Sequence, residues 1–151
     1  MAKPNLHQDI EVTAQGRIEP NGPGVFVIQG CRIVATDAYK NFKNTPGKSA
    51  YLGRPWKEYS RTIIMNSFID GAIHPEGWHP WPGSNANNTA YYAEYENQGP
   101  GADTSKRVNW PAIKKLSPQD AESFTPAKLF IDPNVWISNT GVPFEAGKFS
   151  V

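Results

Sequence analysis

One apolar pattern occurs twice in this chain at a fixed spacing. Val27-Ile28-Gln29-Gly30-Cys31-Arg32-Ile33 is echoed by Ile63-Ile64-Met65-Asn66-Ser67-Phe68-Ile69. Each copy is a short apolar strand, a corner of two polar or small residues, and a second short strand. Tyr91-Tyr92-Ala93-Glu94-Tyr95 is a candidate third copy. Short strands with sharp corners, recurring at uneven intervals with loops between them, suggest coils stacked in a parallel β-helix. Insertions then gather on one face. The competing architecture is an antiparallel sandwich, which needs hairpins between alternating strands. No Asn-Gly or Asp-Gly turn with two flanking strands stands out. Asp70-Gly71 comes nearest, and the run after it is too short.

The remaining chain fits an all-β reading. The sequence has 13 Gly and 14 Pro and few long runs of helix formers, which favours strands and loops. Ile10 to Ala14 reads as a short strand, and Val25-Phe26-Val27-Ile28 as a strong one. Cys31-Arg32-Ile33-Val34 resumes the strand after Gly30. Residues 1–9 read as a loose entry, and Asn44-Thr45-Pro46-Gly47 as a turn. The last part changes character. Ser117-Pro118-Gln119-Asp120 places an N-cap, a proline at the first helical position and an acid in the first turn. Thr125-Pro126-Ala127-Lys128 repeats the device. Short helices are expected near 118–123 and 126–130. The stretch Asn139 to Phe144 reads as a tail wrapping back over the body. The expected organisation is a single domain, with β-helix coils and loops over 1–115 and a helical tail over 116–151.

Several function classes find no support. The formal net charge is +1, so no global field suggests a nucleic acid or a membrane as partner. The longest apolar runs are too short to span a bilayer. His7, His74 and His79 are scattered, with no metal-ligand spacing, and neither a metal nor a cofactor is expected. There is no Gly-rich phosphate loop and no Gly-x-Ser-x-Gly elbow. The single Cys31 allows no internal disulfide and reads as a small buried apolar residue. Asp37, Asp70, Glu76, Glu94 and Asp103 include no pair that announces itself as acid and nucleophile. Asn87-Asn88-Thr89 is an N-glycosylation sequon. Lys106-Arg107, beside Trp110, reads either as a solvated pair or as an attractor of an acidic polymer.

The candidate site is Tyr51-Leu52-Gly53-Arg54-Pro55-Trp56-Lys57-Glu58-Tyr59-Ser60-Arg61-Thr62, read as a loop that runs into the strand Ile63-Ile64-Met65. Arg54 offers a planar fork of donors that matches a carboxylate. Trp56 offers a stacking face and one N–H. Pro55 fixes its own φ and pushes Arg54 toward an extended backbone. Such a pair can grip an anionic, sugar-like ligand. In the alternative, Arg54 pairs with a structural carboxylate and Trp56 is rim packing. Trp78 and Trp81, in the proline-rich loop after His74, are either loop-anchoring core or part of a ligand platform.

The Tyr51–Thr62 stretch strongly resembles the corresponding stretch of plant pectin methylesterases. So do Val12-Thr13-Ala14-Gln15-Gly16-Arg17, Gln29-Gly30-Cys31-Arg32-Ile33, Tyr91-Tyr92-Ala93-Glu94-Tyr95, Gly99-Pro100-Gly101-Ala102-Asp103-Thr104-Ser105-Lys106-Arg107-Val108 and Thr140-Gly141-Val142-Pro143-Phe144. The segments occur in family order and correspond to the C-terminal half of the family's catalytic domain. The resemblance implies a right-handed parallel β-helix, here partial, with short C-terminal helices. It implies a secreted cell-wall protein acting on methylated galacturonan (pectin) and releasing methanol. In the family, one Asp attacks the methyl ester, a second handles the proton, glutamines hold the oxyanion, an Arg orients the nucleophile and a Trp contacts the sugar. Arg54 matches that Arg, as catalytic and substrate-binding residue, and Trp56 that Trp. Trp78 is a further expected sugar contact. The segments carrying the two Asp residues and the oxyanion glutamines belong before Val12 in family order, and this sequence has no match to them. Gly30 stands where the family usually has an Asn that bonds along the turn stack. Three expectations follow: a pectinesterase that acts with the missing N-terminal half supplied as partner; a non-catalytic pectin-binding remnant using Arg54, Trp56, Trp78 and Lys106/Arg107; or a structural fragment. A monomer is expected if the chain folds.

Overall fold

The computed structural model describes residues 9–40 and 49–147. The entry at 1–8, with His7, and the expected turn at Asn44 to Gly47 lie outside the described residues. The first coil holds β1 (Ile10–Thr13), β2 (Phe26–Gln29) and β3 (Arg32–Ile33), followed by the short helix α1 (Asp37–Lys40). The second holds β4 (Ala50–Gly53), β5 (Arg61–Met65) and β6 (Phe68–Ile69). In the third, Ile73 and Trp78 bridge to Ala50 and Gly53, and Gln98 bridges to Phe68. Between them come α2 (Ala86–Thr89) and β7 (Tyr91–Tyr95). The strand β8 (Ile113–Lys115) opens a fourth.

Each strand lies on its equivalent in the next coil. The sheets run β1-β4, β2-β5-β7-β8 and β3-β6, and every pairing is parallel. The sequence echo is this stacking made visible: Val27 pairs with Ile63, and Ile63 with Ala93. The fold is a parallel β-helix, and the antiparallel sandwich is ruled out.

The middle sheet explains why β5 reads as an unbroken apolar run. Its inward side chain Ile64 packs with Leu52, Ile69, Trp78 and Tyr92 inside the coil. Its outward side chains Ile63 and Met65 pack with Ala93, Ala121 and Phe124. A parallel strand covered on both faces has no polar face to alternate with. The outer cover begins with α3 (Pro118–Glu122), which starts in a capping box: Asp120 N–H donates to Ser117 Oγ (3.1 Å), and Ser117 N–H to the Asp120 carboxylate (2.9 Å). Beyond it come α4 (Pro126–Leu129), α5 (Pro133–Trp136) and a 3₁₀ turn at Ser138–Thr140. The last two had no clear sequence signal. The end of the described chain returns to the first coil, where Gln29 Nε2 donates to the Gly147 carbonyl at 2.8 Å.

The corner between the second and third sheets needs one left-handed residue per coil. Gly30, Asn66 and Glu96 occupy it, at φ 63°, 49° and 48°. Gly30 takes this conformation without steric cost. Asn66 donates its side-chain amide to Glu96 (3.2 Å). One residue further on, Cys31 N–H donates to Ser67 Oγ, and Ser67 N–H to the Asn97 side chain. The corner also corrects the expectation for Cys31. Its thiol is exposed, because the turn at Gly30 carries it out of the strand column, and Sγ reaches back to the Gln29 carbonyl.

A buried ion pair pins the third coil. Arg107 Nε and Nη2 donate to the two oxygens of Glu94 at 2.8 and 2.9 Å, and Nη1 and Nη2 also donate to the carbonyls of Pro75 and Gly101. Trp78 Nε1 donates to the same carboxylate. The two side chains are 5% and 7% exposed. Arg107 is therefore neither a solvated surface charge nor a free attractor of an acidic polymer. Removing one partner of such a pair strands the other. Arg107→Met is expected to cost about 3–5 kcal/mol in urea unfolding, and adding Glu94→Leu is expected to restore part of it. A loss under about 1 kcal/mol for Arg107→Met would show that the pair does not hold the coil.

Candidate functional site

The site begins where β4 ends. Tyr51, Leu52 and Gly53 are strand rather than loop, and Arg54 is the first residue off it. Along β4, Leu52 points into the core, so Tyr51 and Gly53 point outward. Gly53 is required by a close approach. A Cβ there would lie 2.1 Å from Thr13 Oγ1 and 2.7 Å from the Thr13 carbonyl. That closeness lets Arg54 N–H donate to the Thr13 carbonyl at 3.1 Å.

The loop after Gly53 is built on the Thr13–Arg17 segment beneath it. Trp56 N–H donates to the Gln15 carbonyl, and Tyr59 N–H to the Arg17 carbonyl. Buried Gln15 accepts from Arg17 N–H and Arg61 N–H, both at 2.9 Å. Arg17 Nε donates to the Tyr59 carbonyl at 2.7 Å. Pro55 is fully buried beneath the two side chains that flank it. Gln15 thus supports the loop and does not face a ligand.

Arg54 lies between two indoles. Its guanidinium carbon is 3.9 Å from the Trp81 ring centre and 5.3 Å from that of Trp56. Trp56 is 55% exposed and Trp81 45%. Arg54 makes no ion pair among the described residues, and its buried Nη1 has no hydrogen-bond partner there. Arg54 is therefore not ion-paired to a structural carboxylate among the described residues, although its charge reaches Glu11.

Trp78 is placed differently from its expected role. It is fully buried, bridged to Gly53 and stacked on Tyr92 at 4.3 Å. Its ring is core and presents no face to a sugar. In the loop Gly77-Trp78-His79-Pro80-Trp81, the inward strand position takes the first indole, and the second emerges beside Arg54. Residue chemistry left both roles open for both indoles, and the resemblance singled out Trp78, the buried one, as the sugar contact.

Two carboxylates and a histidine complete the outward face. Glu11 sits on β1 beside Tyr51 of β4. His79 N–H donates to the Gly53 carbonyl, which sets its ring close by. His79 Nδ1 is 2.7 Å from Glu11 Oε1, and Nε2 is 3.8 Å from Asp9 Oδ2. Burial pushes the Glu11 carboxyl above its ordinary value, against the lowering effects of His79 and Arg54. Because the folded value lies above the unfolded one, Glu11 favours the fold most at low pH, and that contribution is lost as pH rises through the folded value. This group had no motif to reveal it. Among the described residues no cluster of three or more His, Cys, Asp and Glu could hold a metal ion.

The pectinesterase family model matches residues 1–134 of this sequence. The chain belongs to the pectinesterase family. Pectinesterase 1 of Citrus sinensis is 49% identical over 96% of this chain and 24% of its own length. A pectinesterase of Petunia integrifolia is 46% identical over 99% of this chain and 40% of its own. Among solved structures, a pectin methylesterase from carrot superposes with a TM-score of 0.88 at 46% identity. The match covers 96% of this chain and 45% of that one. The chain thus spans about a fifth to two fifths of the length of the curated relatives it matches. Within the family, Arg54 and Trp56 stand in the motif that the sequence resemblance singled out, and Trp81 joins them in space.

The two classes of indole separate in a stability test. Trp78→Ala is expected to cost about 3–5 kcal/mol of unfolding free energy, as for a large core truncation. Trp56→Ala and Trp81→Ala are expected to stay within about 1 kcal/mol of the parent. Urea titrations followed by circular dichroism check this. Equal losses at all three positions would contradict the assignment of core and surface.

Proposed function

We propose that the face formed by Arg54, Trp56 and Trp81 binds galacturonate units of pectin, and that this chain carries the substrate-gripping wall of a pectin methylesterase site. The observation that supports this reading is a cation lying over two exposed indole faces and forming no ion pair among the described residues. Aromatic faces suit the apolar faces of sugars, and a free guanidinium suits the uronate or its ester. Pectin de-esterification is the family reaction, and a cell-wall location belongs to the same reading.

Ester hydrolysis needs a nucleophile, a proton carrier and an oxyanion pocket acting as a unit. The resemblance assigns the first two to an Asp pair and the third to glutamines that this sequence does not match. Losing one member of such a unit commonly costs several powers of ten. The 151-residue chain by itself is therefore proposed to bind pectin without turning it over. Within the same reading, a partner carrying the missing segments would restore the reaction.

The test pairs two measurements on the folded chain. Binding to highly methylated pectin is expected, weakened roughly 10- to 100-fold by Arg54→Ala, as for a lost charge-assisted contact. Methanol release is expected to match the blank. Absence of binding would overturn the proposal. Methanol release that disappears in Arg54→Ala would overturn the inactive half of it, and would mean that carboxylates of this chain rebuild a site.

A further inference from the structure

The sequence motifs gave no role to the carboxylates and histidine beside Arg54, yet they share its face. The His79 imidazole lies flat on Tyr51, with ring centres 4.5 Å apart and planes 9° off parallel. That contact fixes the ring while both nitrogens point at acids, Nδ1 at Glu11 and Nε2 at Asp9. Glu11 Oε2 is buried without a hydrogen-bond partner among the described residues, as is Arg54 Nη1. The two side chains form no ion pair with each other, but the arginine's charge acts on the Glu11 carboxyl. The remaining titratable groups around them come from other elements. His74 and Glu76 approach Tyr51 from the loop of the third coil. Tyr39 faces Asp9, and the Tyr92 hydroxyl from β7 feels both Glu11 and Arg54.

We propose that Glu11 and His79 set whether the Arg54 face accepts the free uronate: with an added proton on the pair it takes uronate and methyl ester alike, and without it the neutral ester is favoured. This rests on the pectin-binding reading above. The reasoning is electrostatic. Ionised Glu11 and Asp9 oppose a second anion beside Arg54, whereas a neutral ester suffers no such repulsion. Each proton taken up by the hydrogen-bonded pair makes the group one charge more positive. Burial raises the Glu11 carboxyl from its ordinary value. Free uronates stay ionised over about pH 5 to 8. The proton therefore alters the protein and not the ligand.

The experiment measures binding of a de-esterified and a fully methyl-esterified oligogalacturonide to the full chain at constant ionic strength. It covers about pH 5 to 8. For the parent chain, affinity for the free uronate is expected to fall roughly tenfold or more across that range, while affinity for the ester stays within about twofold. Glu11→Gln is expected to raise uronate affinity at the alkaline end and flatten the profile. His79→Gln is expected to flatten it from the acid end. Circular dichroism of both variants against the parent chain checks that they fold. Uronate binding that is lost in Arg54→Ala but flat with pH in the parent would overturn this inference alone. So would a Glu11→Gln profile that superposes on the parent's. Binding of neither oligomer, or binding indifferent to Arg54→Ala, would overturn the pectin-binding reading and this inference with it.

Discussion

The parallel backbone ladder between coils is the interaction on which everything else in this molecule depends. Each strand leaves its N–H and C=O groups to be satisfied by the strand above or below, because its own coil offers none. Satisfying them forces register, and register puts like side chains in columns: Val27 on Ile63 on Ala93, and Thr62 on Tyr92 on Ile113. Strand positions are thereby fixed while the lengths of the connections stay free. This is why equivalent residues recur at intervals that shrink along the chain. The left-handed corner at Gly30, Asn66 and Glu96 keeps the columns aligned through the bend.

The candidate site is a by-product of that register. Thr13, Gly53 and Trp78 stack at the end of the first sheet, and each is followed by a loop that leaves the ladder there. Residues far apart in sequence meet because their strands end at one level. The Thr13–Arg17 segment stays in step with Arg54–Tyr59 for several residues beyond the strands. The site loop is thus an extension of the sheet and not a free excursion. Pro55 and Gln15 are buried for that reason, and the side chains of Arg54 and Trp56 are left to face outward.

Much of this was legible in the sequence where one physical signal dominated. The apolar columns of β2, β5 and β7 announced themselves through the repeat, and α3 through its N-cap serine, first-turn proline and first-turn acid. Signals that had to be weighed against tertiary context were not legible. Tyr51-Leu52-Gly53 reads as loop because glycine and proline punctuate it, yet the ladder holds it as strand. Ile113-Lys114-Lys115 carries two lysines and no apolar run, and pairs with β7 all the same. Trp78 and Trp81 differ only in which way the strand pleat and its ending send them. Cys31 and Arg107 were misjudged for one reason: composition gives a residue's average burial, and a corner or a buried carboxylate overrides it. Glu11 and His79 lie far apart in sequence, and only the stacking of the first sheet brings them together.

Arg54 and Arg107 show what the fold does with the same side chain in two settings. Arg107 spends its donors on both oxygens of Glu94 and on two carbonyls. Any anionic ligand would have to break that pair first, and the exposed carboxylate would then repel it. Arg54 lies over ring faces, which order it through the quadrupole and leave it without an ion pair among the described residues. Stacking orders the guanidinium without consuming its hydrogen bonds, so a ligand meets a cation already in place. The Glu11 carboxyl, hydrogen-bonded to His79, is the nearby group on which that cation's charge acts. The ion-paired arginine therefore serves the fold, and the stacked one is left available to an anion or an ester.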